Sequence, residues 1–464
     1  MDLAADLLRN DNVNTAVGPC DVYESALERV ADNALRESLH SLANNNADFW
    51  DFSDTVRRSH AHGYFQYPAM MVPNMVGQAL DEIAKARSGR MHLLDPFAGS
   101  GTVLTESIAR GWDVTALDIN PLSVLLCRTK AGPFQPKLTG EGITQVIDGA
   151  RAASLNRSHW FPNVTKWFEP SVRDDLDRLS CQIRELDDRS VRRFLWVALA
   201  ETVRLTSNSR LSTVKLHVKA EEDRVASDAV EVFSRVAGRN LELLRAEARM
   251  LRSNGRLRGQ RPASHVDVRL VDSRDADLTS LSSKPNLLVT SPPYGDNHTT
   301  ITYGQHSFLP LQWIDGRDIQ AGLDATTYNR PTAIDYASLG GRRASGLERH
   351  EVVAEKSAAA RRIVADLLAE RKDHAARVAA FFADLDVSMT RAIGSLARGA
   401  HIVVTVGDRT VHDRSMPTTR VIQDIAGSLG AVTIAAIPRS LPISRNRFAT
   451  RMSMEYLLVM RMPS

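Results

Sequence analysis

One stretch leaves this chain few options: Met91-His92-Leu93-Leu94-Asp95-Pro96-Phe97-Ala98-Gly99-Ser100-Gly101-Thr102, followed at once by the apolar-periodic run 103–110. A short apolar strand, a glycine turn and a helix in direct succession build a crevice at the carboxyl end of a parallel strand. Gly99 and Gly101 allow backbone angles and a close approach that a Cβ would forbid. The next predicted strand, Val114 to Asp118, ends on an acid about 20 residues further on, the spacing at which a carboxylate reaches the ribose hydroxyls of a nucleoside. These features predict an α/β chain with a Rossmann-like, mostly parallel sheet.

The loop also discriminates among ligands. The chain has no GxxxxGK[ST] segment, and the acidic Asp95 would repel a pyrophosphate, whereas phosphate sites gather backbone N–H groups or a lysine. An acid there suits a ligand that carries an amino group. S-adenosylmethionine has both a sulfonium and an α-ammonium.

A second stretch, Leu288-Val289-Thr290-Ser291-Pro292-Pro293-Tyr294, begins as a buried strand and stops at two consecutive prolines, which a sheet interior does not accept. The rigid loop that follows offers the Ser291 hydroxyl, the Pro292 carbonyl, and the Tyr294 ring beyond Pro293. Such a set can hold a flat heterocycle by its exocyclic amine while stacking on its ring.

Around these two loops the chain divides by character. Residues 1–58 read as an N-terminal helical segment, with Asp21 to Ala43 the clearest periodicity. Residues 59–135 carry the glycine loop, preceded by the aromatic, proline-rich Gly63–Pro73 with Tyr67 and Pro68, and by a helix over 74–87. Residues 136–265 form a helical insertion, with helices over 174–186, 190–204 and 225–251. Within it Ser207 to Lys215 is a polar, basic break, open between a solvated connector and a backbone-phosphate contact. Residues 266–305 resume the sheet. Asp272 ends a strand there and is placed to accept a hydrogen bond from an adenine amine, with Asp275 as the competitor. Residues 306–375 are a loop-rich and helical insertion, with one helix expected from Glu351 to Arg371. Residues 376–464 hold a helix over 375–396, a strand over 401–406 and two closing strands, Ala431–Ile437 and Met454–Met460, which suggest an antiparallel hairpin on the sheet edge. The connector between them carries Arg439, Arg445 and Arg447. These either meet a phosphate backbone or lie on a solvated loop.

Composition excludes more than it assigns. At 464 residues the chain has room for one large domain with insertions or for two to three domains. No run of about 18 apolar residues is present, and the N-terminus lacks the basic start and apolar core of a signal peptide, so a cytoplasmic protein is expected. Three scattered cysteines argue against a disulfide framework, and without clustered His and Cys no metal site is expected. Lysines number only nine among the 58 basic residues, and the remainder are arginines. Arginine suits bidentate phosphate and base-edge contacts, although a GC-rich coding sequence explains the same bias.

Taken together, Asp95-Pro96-Phe97-Ala98-Gly99-Ser100-Gly101-Thr102 and Thr290-Ser291-Pro292-Pro293-Tyr294 resemble the cofactor and catalytic loops of the S-adenosylmethionine-dependent DNA amino-methyltransferases. Ser-Pro-Pro-Tyr looks like the cytosine-N4 branch, where an Asp or Asn in first place is usual for adenine N6. With Tyr67-Pro68, Asp118, Asp272 and the closing hairpin, the resemblance covers about half the chain. It implies a class I methyltransferase fold, DNA as substrate, and S-adenosylmethionine held by Tyr67, Asp95, Phe97, Gly99, Gly101, Thr102, Asp118 and Asp272. Catalysis then falls to Ser291, Pro292, Pro293 and Tyr294, and a restriction–modification setting with a cognate endonuclease is implied. Methylation of adenine N6, or of an RNA base, uses the same site and stays open. The separation of 190 positions from Gly101 to Ser291 is a departure, and either insertion, or both, is a candidate for target recognition.

Overall fold

The computed structural model describes residues 26–45, 48–52, 58–87, 89–154, 159–295, 301–411, 414–440 and 454–464. Seven strands form its main sheet: β1 (His92–Asp95), β2 (Asp113–Asp118), β3 (Val266–Leu270), β4 (Leu287–Thr290), β5 (His401–Val406), β6 (Val432–Ser440) and β7 (Met454–Arg461). Their order across the sheet is β6-β7-β5-β4-β1-β2-β3. From β5 through β3 neighbouring strands are parallel, while β7 runs antiparallel to both β5 and β6. The mostly parallel sheet with a closing hairpin is thus present, and it fits the methyltransferase fold expected from the sequence.

The central strands are apolar on both faces because helices cover both. Leu93, Leu287, Val289, Val403 and Val459 point into one core. Leu94, Leu288, Ile402, Val404 and Leu458 point into the other. The first face takes α1 (Ala26–Asn45), α2 (Pro73–Ala86), α3 (Thr102–Arg110) and α4 (Pro121–Lys130). The second takes α10 (Gly346–Lys356), α11 (Ala358–Glu370), α12 (Lys372–Gly394) and α13 (Thr418–Ser428). The inserted helices α5 (Pro136–Ala152), α6 (Pro170–Arg184), α7 (Arg189–Thr206) and α8 (Ala229–Ser253) do not build a core of their own. Their apolar residues continue the first core without a break, through Val146, Leu179, Trp196 and Phe233. Among the described residues no helix is long and apolar enough to cross a membrane.

One helix goes beyond what the sequence assigned, and one expectation needs correcting. The stretch after Tyr294 contains α9 (Tyr303–Trp313), a helix that keeps Pro310 inside it. Proline there removes a hydrogen bond and crowds the preceding turn, but α9 buries residues all round, Ser307, Phe308, Leu309, Leu311 and Trp313 among them. Burial rather than propensity carries it. The single helix expected over 351–371 is two, broken at Ser357. Ser357 caps the second one, accepting from the Ala360 N–H at 3.2 Å, and donates to Asp424 at 2.6 Å. The segment between α9 and α10 passes from the first core (Ile334) to the second (Leu339), across the carboxyl edge of the sheet.

Candidate active site

β1 and β4 are neighbours, and the chain leaves them in opposite directions, β1 toward β2 and β4 toward β5. Ligands of open α/β sheets bind outside the strand ends at such a switch point. A cleft open to solvent lies there, enclosing about 830 Å³ of space between its walls. Gly99, Phe97, Thr102 and Asp118 line it from the β1 side, Ser291 and Pro293 from the β4 side, and Asp272 from beyond β3. Two loops that lie 190 residues apart in sequence therefore share one cavity.

The glycine loop is fixed by its own surroundings. Gly99 and Gly101 have φ of +49° and +75°, the left-handed region open to glycine at little cost. A Cβ on Gly101 would meet Cys127 Sγ at 3.0 Å, and one on Gly99 would sit 3.6 Å from the Tyr67 ring. The Gly99 N–H donates to Asp118 Oδ2 at 2.7 Å, and its carbonyl accepts from the Ser123 hydroxyl at 2.6 Å. Lys130, buried beneath, donates to the Ser100 carbonyl at 2.7 Å, and burial lowers its pKa to about 8. Asp118 Oδ1 accepts from the Asn120 N–H at 2.8 Å, and burial raises its carboxyl despite these bonds.

Tyr67 stands behind Gly99, its ring stacked on Tyr303 with centroids 5.7 Å apart and planes at 22°. The Tyr67 hydroxyl accepts from Asn120 Nδ2 at 3.2 Å, and Asn120 also caps α4 through the Leu122 N–H at 3.0 Å. Tyr303, Ile334, Ser338 and Leu339 reach the cleft from residues that sequence reading left as loop, and Met70 and Met71 from the segment before α2. Asn120 lines the cleft as well, and the pair Asn120-Pro121 carries a legible local signal, a side-chain cap ahead of a proline.

Two expected residues, Asp95 and Arg439, lie elsewhere than anticipated, and a third, Asp272, is in place but engaged. Asp95 is wholly buried and does not line the cleft. Its Oδ1 accepts from the Thr290 hydroxyl at 2.7 Å and the Phe97 N–H at 3.1 Å, while Oδ2 has no partner among the described residues. Burial raises its pKa to about 7. It ties the β1 loop to the end of β4 rather than facing a ligand. Asp272 does line the cleft, but Arg274 holds both its oxygens, through Nε at 3.0 and 3.1 Å, and also reaches Asp384 at 2.8 Å. Arg439, expected on a phosphate, is 4% exposed. It pairs with Glu455 on β7 and donates to the Trp50 and Asp51 carbonyls, which leaves nothing to meet a phosphate. Arg445 and Arg447 lie outside the described residues.

The catalytic-loop candidates divide as well. Ser291 and Pro293 are on the cleft wall, Pro292 is buried, and Tyr294 packs against the second core. The Tyr294 hydroxyl donates to Glu455 Oε1 at 2.9 Å and lies 3.2 Å from Ser291 Oγ. Burial, then Glu455, holds its pKa well above the usual phenol range. The ring expected to stack on a substrate is therefore anchored, and the aromatic residues that line the cleft are Tyr67, Phe97 and Tyr303. Among the described residues no group of three or more His, Cys, Asp or Glu is placed to hold a metal ion.

No protein-family model matches the chain. Among curated proteins it is similar to the type II methyltransferase M.MvaI of Kocuria varians, at 26% identity over 428 residues spanning 89% of this chain and 91% of that one. Among solved structures, the rRNA methyltransferase AviRa of Streptomyces viridochromogenes aligns with 85% of this chain and 86% of its own at 13% identity. Its TM-score of 0.29 is too low to carry an argument, as is the 0.28 of a second structure of that protein. The near end-to-end match to M.MvaI supports enzymatic methyl transfer.

Proposed function

We propose that the protein is a DNA methyltransferase that moves a methyl group from S-adenosylmethionine to the exocyclic N4 amine of cytosine. The observation that carries this reading is the single cleft walled by Gly99 and Asp118 on one side and Ser291 on the other. Similarity to a type II methyltransferase supports DNA as the substrate, and the serine in Ser291-Pro292-Pro293-Tyr294 supports cytosine over adenine.

The cleft fits the cofactor. The positive-φ Gly99 leaves space beside the Tyr67 ring that a Cβ would fill, and the Tyr67–Tyr303 pair with Met70, Met71 and Leu339 gives an apolar wall for a flat heterocycle. Asp118 and Asp272 supply carboxylates for hydroxyl and amine groups. When bound, S-adenosylmethionine supplies an electrophilic methyl group.

The protein's task is to make a poor nucleophile available, since the lone pair of a cytosine amine is delocalised into its ring. Hydrogen-bond directions prepare Ser291 for that task. Tyr294 has one hydroxyl proton and spends it on Glu455, so its oxygen is left to accept the proton of Ser291. The Ser291 lone pairs then face the amine as acceptors. In this reading the Pro292 carbonyl takes the second amine hydrogen, the nitrogen moves toward tetrahedral geometry, and transfer proceeds in line, by positioning and electrostatics. Tyr294 and Glu455 act as positioning residues. A cytosine within a duplex must leave the stack, at a cost of about a few kcal/mol, and stacking on an aromatic face, about 1–3 kcal/mol, offsets part of that.

The test is methylation of DNA with S-adenosylmethionine, followed by digestion to nucleosides and mass spectrometry. N4-methyldeoxycytidine is expected. N6-methyldeoxyadenosine would keep the mechanism and overturn the base, and methylation of RNA alone would overturn the substrate.

A further inference from the structure

Beside the cleft lies a second depression that shares Tyr67, Ala69, Met70 and Met71 with it as a common wall. Its far side is the polar segment after α7, residues 207–216, contributed by the inserted helices. This segment is a built projection. Ser207, Asn208 and Ser209 are buried at its base, where the Asn208 N–H donates to the Trp167 carbonyl at 2.7 Å and Ser209 bridges Val218 in antiparallel fashion. The Arg210 N–H donates to His217 at 2.8 Å, and the Leu216 N–H to Gln305 Oε1 on α9 at 3.0 Å. Held in this way, the projection leaves Arg210, Leu211 and Ser212 exposed.

The chemistry of the depression has one sign. Arg58, Arg204 and Arg210 line it with several hydroxyls, and among the described residues lining it none is Asp or Glu. Arg204 spends its charge on Glu201 at 2.7 Å. Among the described residues Arg58 meets only the neutral Gln66 amide, at 3.4 Å, and the Arg210 side chain has no partner. His306 also lines it, but burial, then Arg204, lowers its pKa to about 4, so it is neutral at pH 7. Two guanidinium groups without a carboxylate partner among the described residues, spaced along a hydroxyl-rich groove that shares a wall with the catalytic cleft, complement a chain of phosphodiesters rather than an acidic side chain or a free anion.

We infer that this groove takes the phosphodiester backbone of the DNA strand beside the target base, with Arg58 and Arg210 on phosphates, an inference that rests on the methyltransferase reading above. The inserted helices thereby act in substrate binding through the 207–216 projection. Phosphate contacts set register and contribute a salt-dependent part of affinity, with the slope of log K against log salt near −0.9 per contact.

The experiment uses the full-length protein, a duplex that it methylates, and the double variant Arg58→Ala/Arg210→Ala. Arg362→Ala, an exposed arginine on the opposite face of the sheet, is the control. The double variant should flatten the salt slope by about 2 and weaken DNA binding about fivefold per lost contact near 0.15 M salt. Its affinity for S-adenosylmethionine should match wild type, and the control should keep the wild-type slope. If the double variant keeps that slope while wild type methylates the duplex, the groove assignment is wrong and the methyltransferase reading stands. An equal slope change in the control means generic charge and also overturns the groove. Failure of wild type to methylate any nucleic acid while binding the cofactor overturns the reading and this inference with it.

Discussion

The loops that leave β1 and β4 are neighbours at one sheet edge, yet they are held in opposite ways. Residues 96–101 are gripped from within: Asp118 on the Gly99 N–H, Ser123 on its carbonyl, Lys130 on Ser100. Residues 291–295 are held from a distance, through Tyr294 to Glu455 on an outer strand and on to Arg439. The first arrangement suits a mould, whose shape must exist before a ligand arrives. The second sets the direction of one proton. Thr290 and Asp95 are the direct link between the two, at 2.7 Å.

If this division is right, substitutions in the two loops should separate binding from turnover. The largest effect is expected from Ser291→Ala, a loss of about 10²–10³ in the rate of methyl transfer, by analogy with the removal of one preorganised hydrogen-bonding group. Cofactor affinity should not change, and single-turnover rates within about threefold of wild type would remove Ser291 from its role. Asp95→Asn probes the link. Because the Asp95 pKa is about 7 in the folded protein and near 4 in an unfolded chain, the native state binds the extra proton between those values. Stability should therefore fall as pH rises from about 4 to 7, by about 1.4 kcal/mol per pH unit at most. Asparagine has no such proton. Urea unfolding at pH 5 and pH 8 should show a difference that shrinks in the variant by about 2 kcal/mol, and equal differences would refute the assignment.

Asp118→Ala should weaken cofactor binding by roughly 10–100-fold in calorimetry, through lost bonds to a charged group worth about 1.5–3 kcal/mol. An affinity equal to wild type would show that the mould does not depend on it. Glu455→Gln is a finer probe, because an amide can donate to Tyr294 and reverse the chain of hydrogen bonds. About a tenfold fall in kcat is expected, with KM for the cofactor unmoved and partial recovery in Glu455→Asp. A shift in KM alone would make Glu455 merely structural. The smallest effect belongs to Ser123→Ala, which deletes one neutral bond of about 1 kcal/mol, and a cofactor affinity about fivefold weaker would agree with a loop gripped at several points.

What could be read in advance was whatever is local. The continuous apolar runs of the central strands, the glycine turn and the acid at Asp118 are set by neighbours a few residues apart, and β5 appears at the bounds read from sequence. Helix α9 has little local signal, since Gly304 and Pro310 both disfavour a helix, while the burial that stabilises it comes from distant helices. Arg439 was misplaced for a related reason. Its charge suggests solvent, but the hairpin register sets it opposite Glu455, a pairing that no local pattern shows. The site divides along the same line. Ser291 and Gly99 lie within motifs, whereas Tyr303, Ile334 and Leu339 reach the cleft only through the path of the chain over the sheet edge.

The continuity of the first core bears on how such a protein can change. Asp318, between α9 and α10, receives two bonds of 2.9 Å from Arg192 and one of 2.8 Å from the Trp196 indole, so the two insertions are fastened to one another as well as to the sheet. Excising residues 136–253 would uncover the apolar sides of α4 and α9, against which these helices pack, rather than free a module. Recognition in this architecture is not a cassette to be exchanged whole. New sequence preferences have to arise at exposed positions such as those of the 207–216 projection, where a substitution alters what is touched without disturbing what is packed.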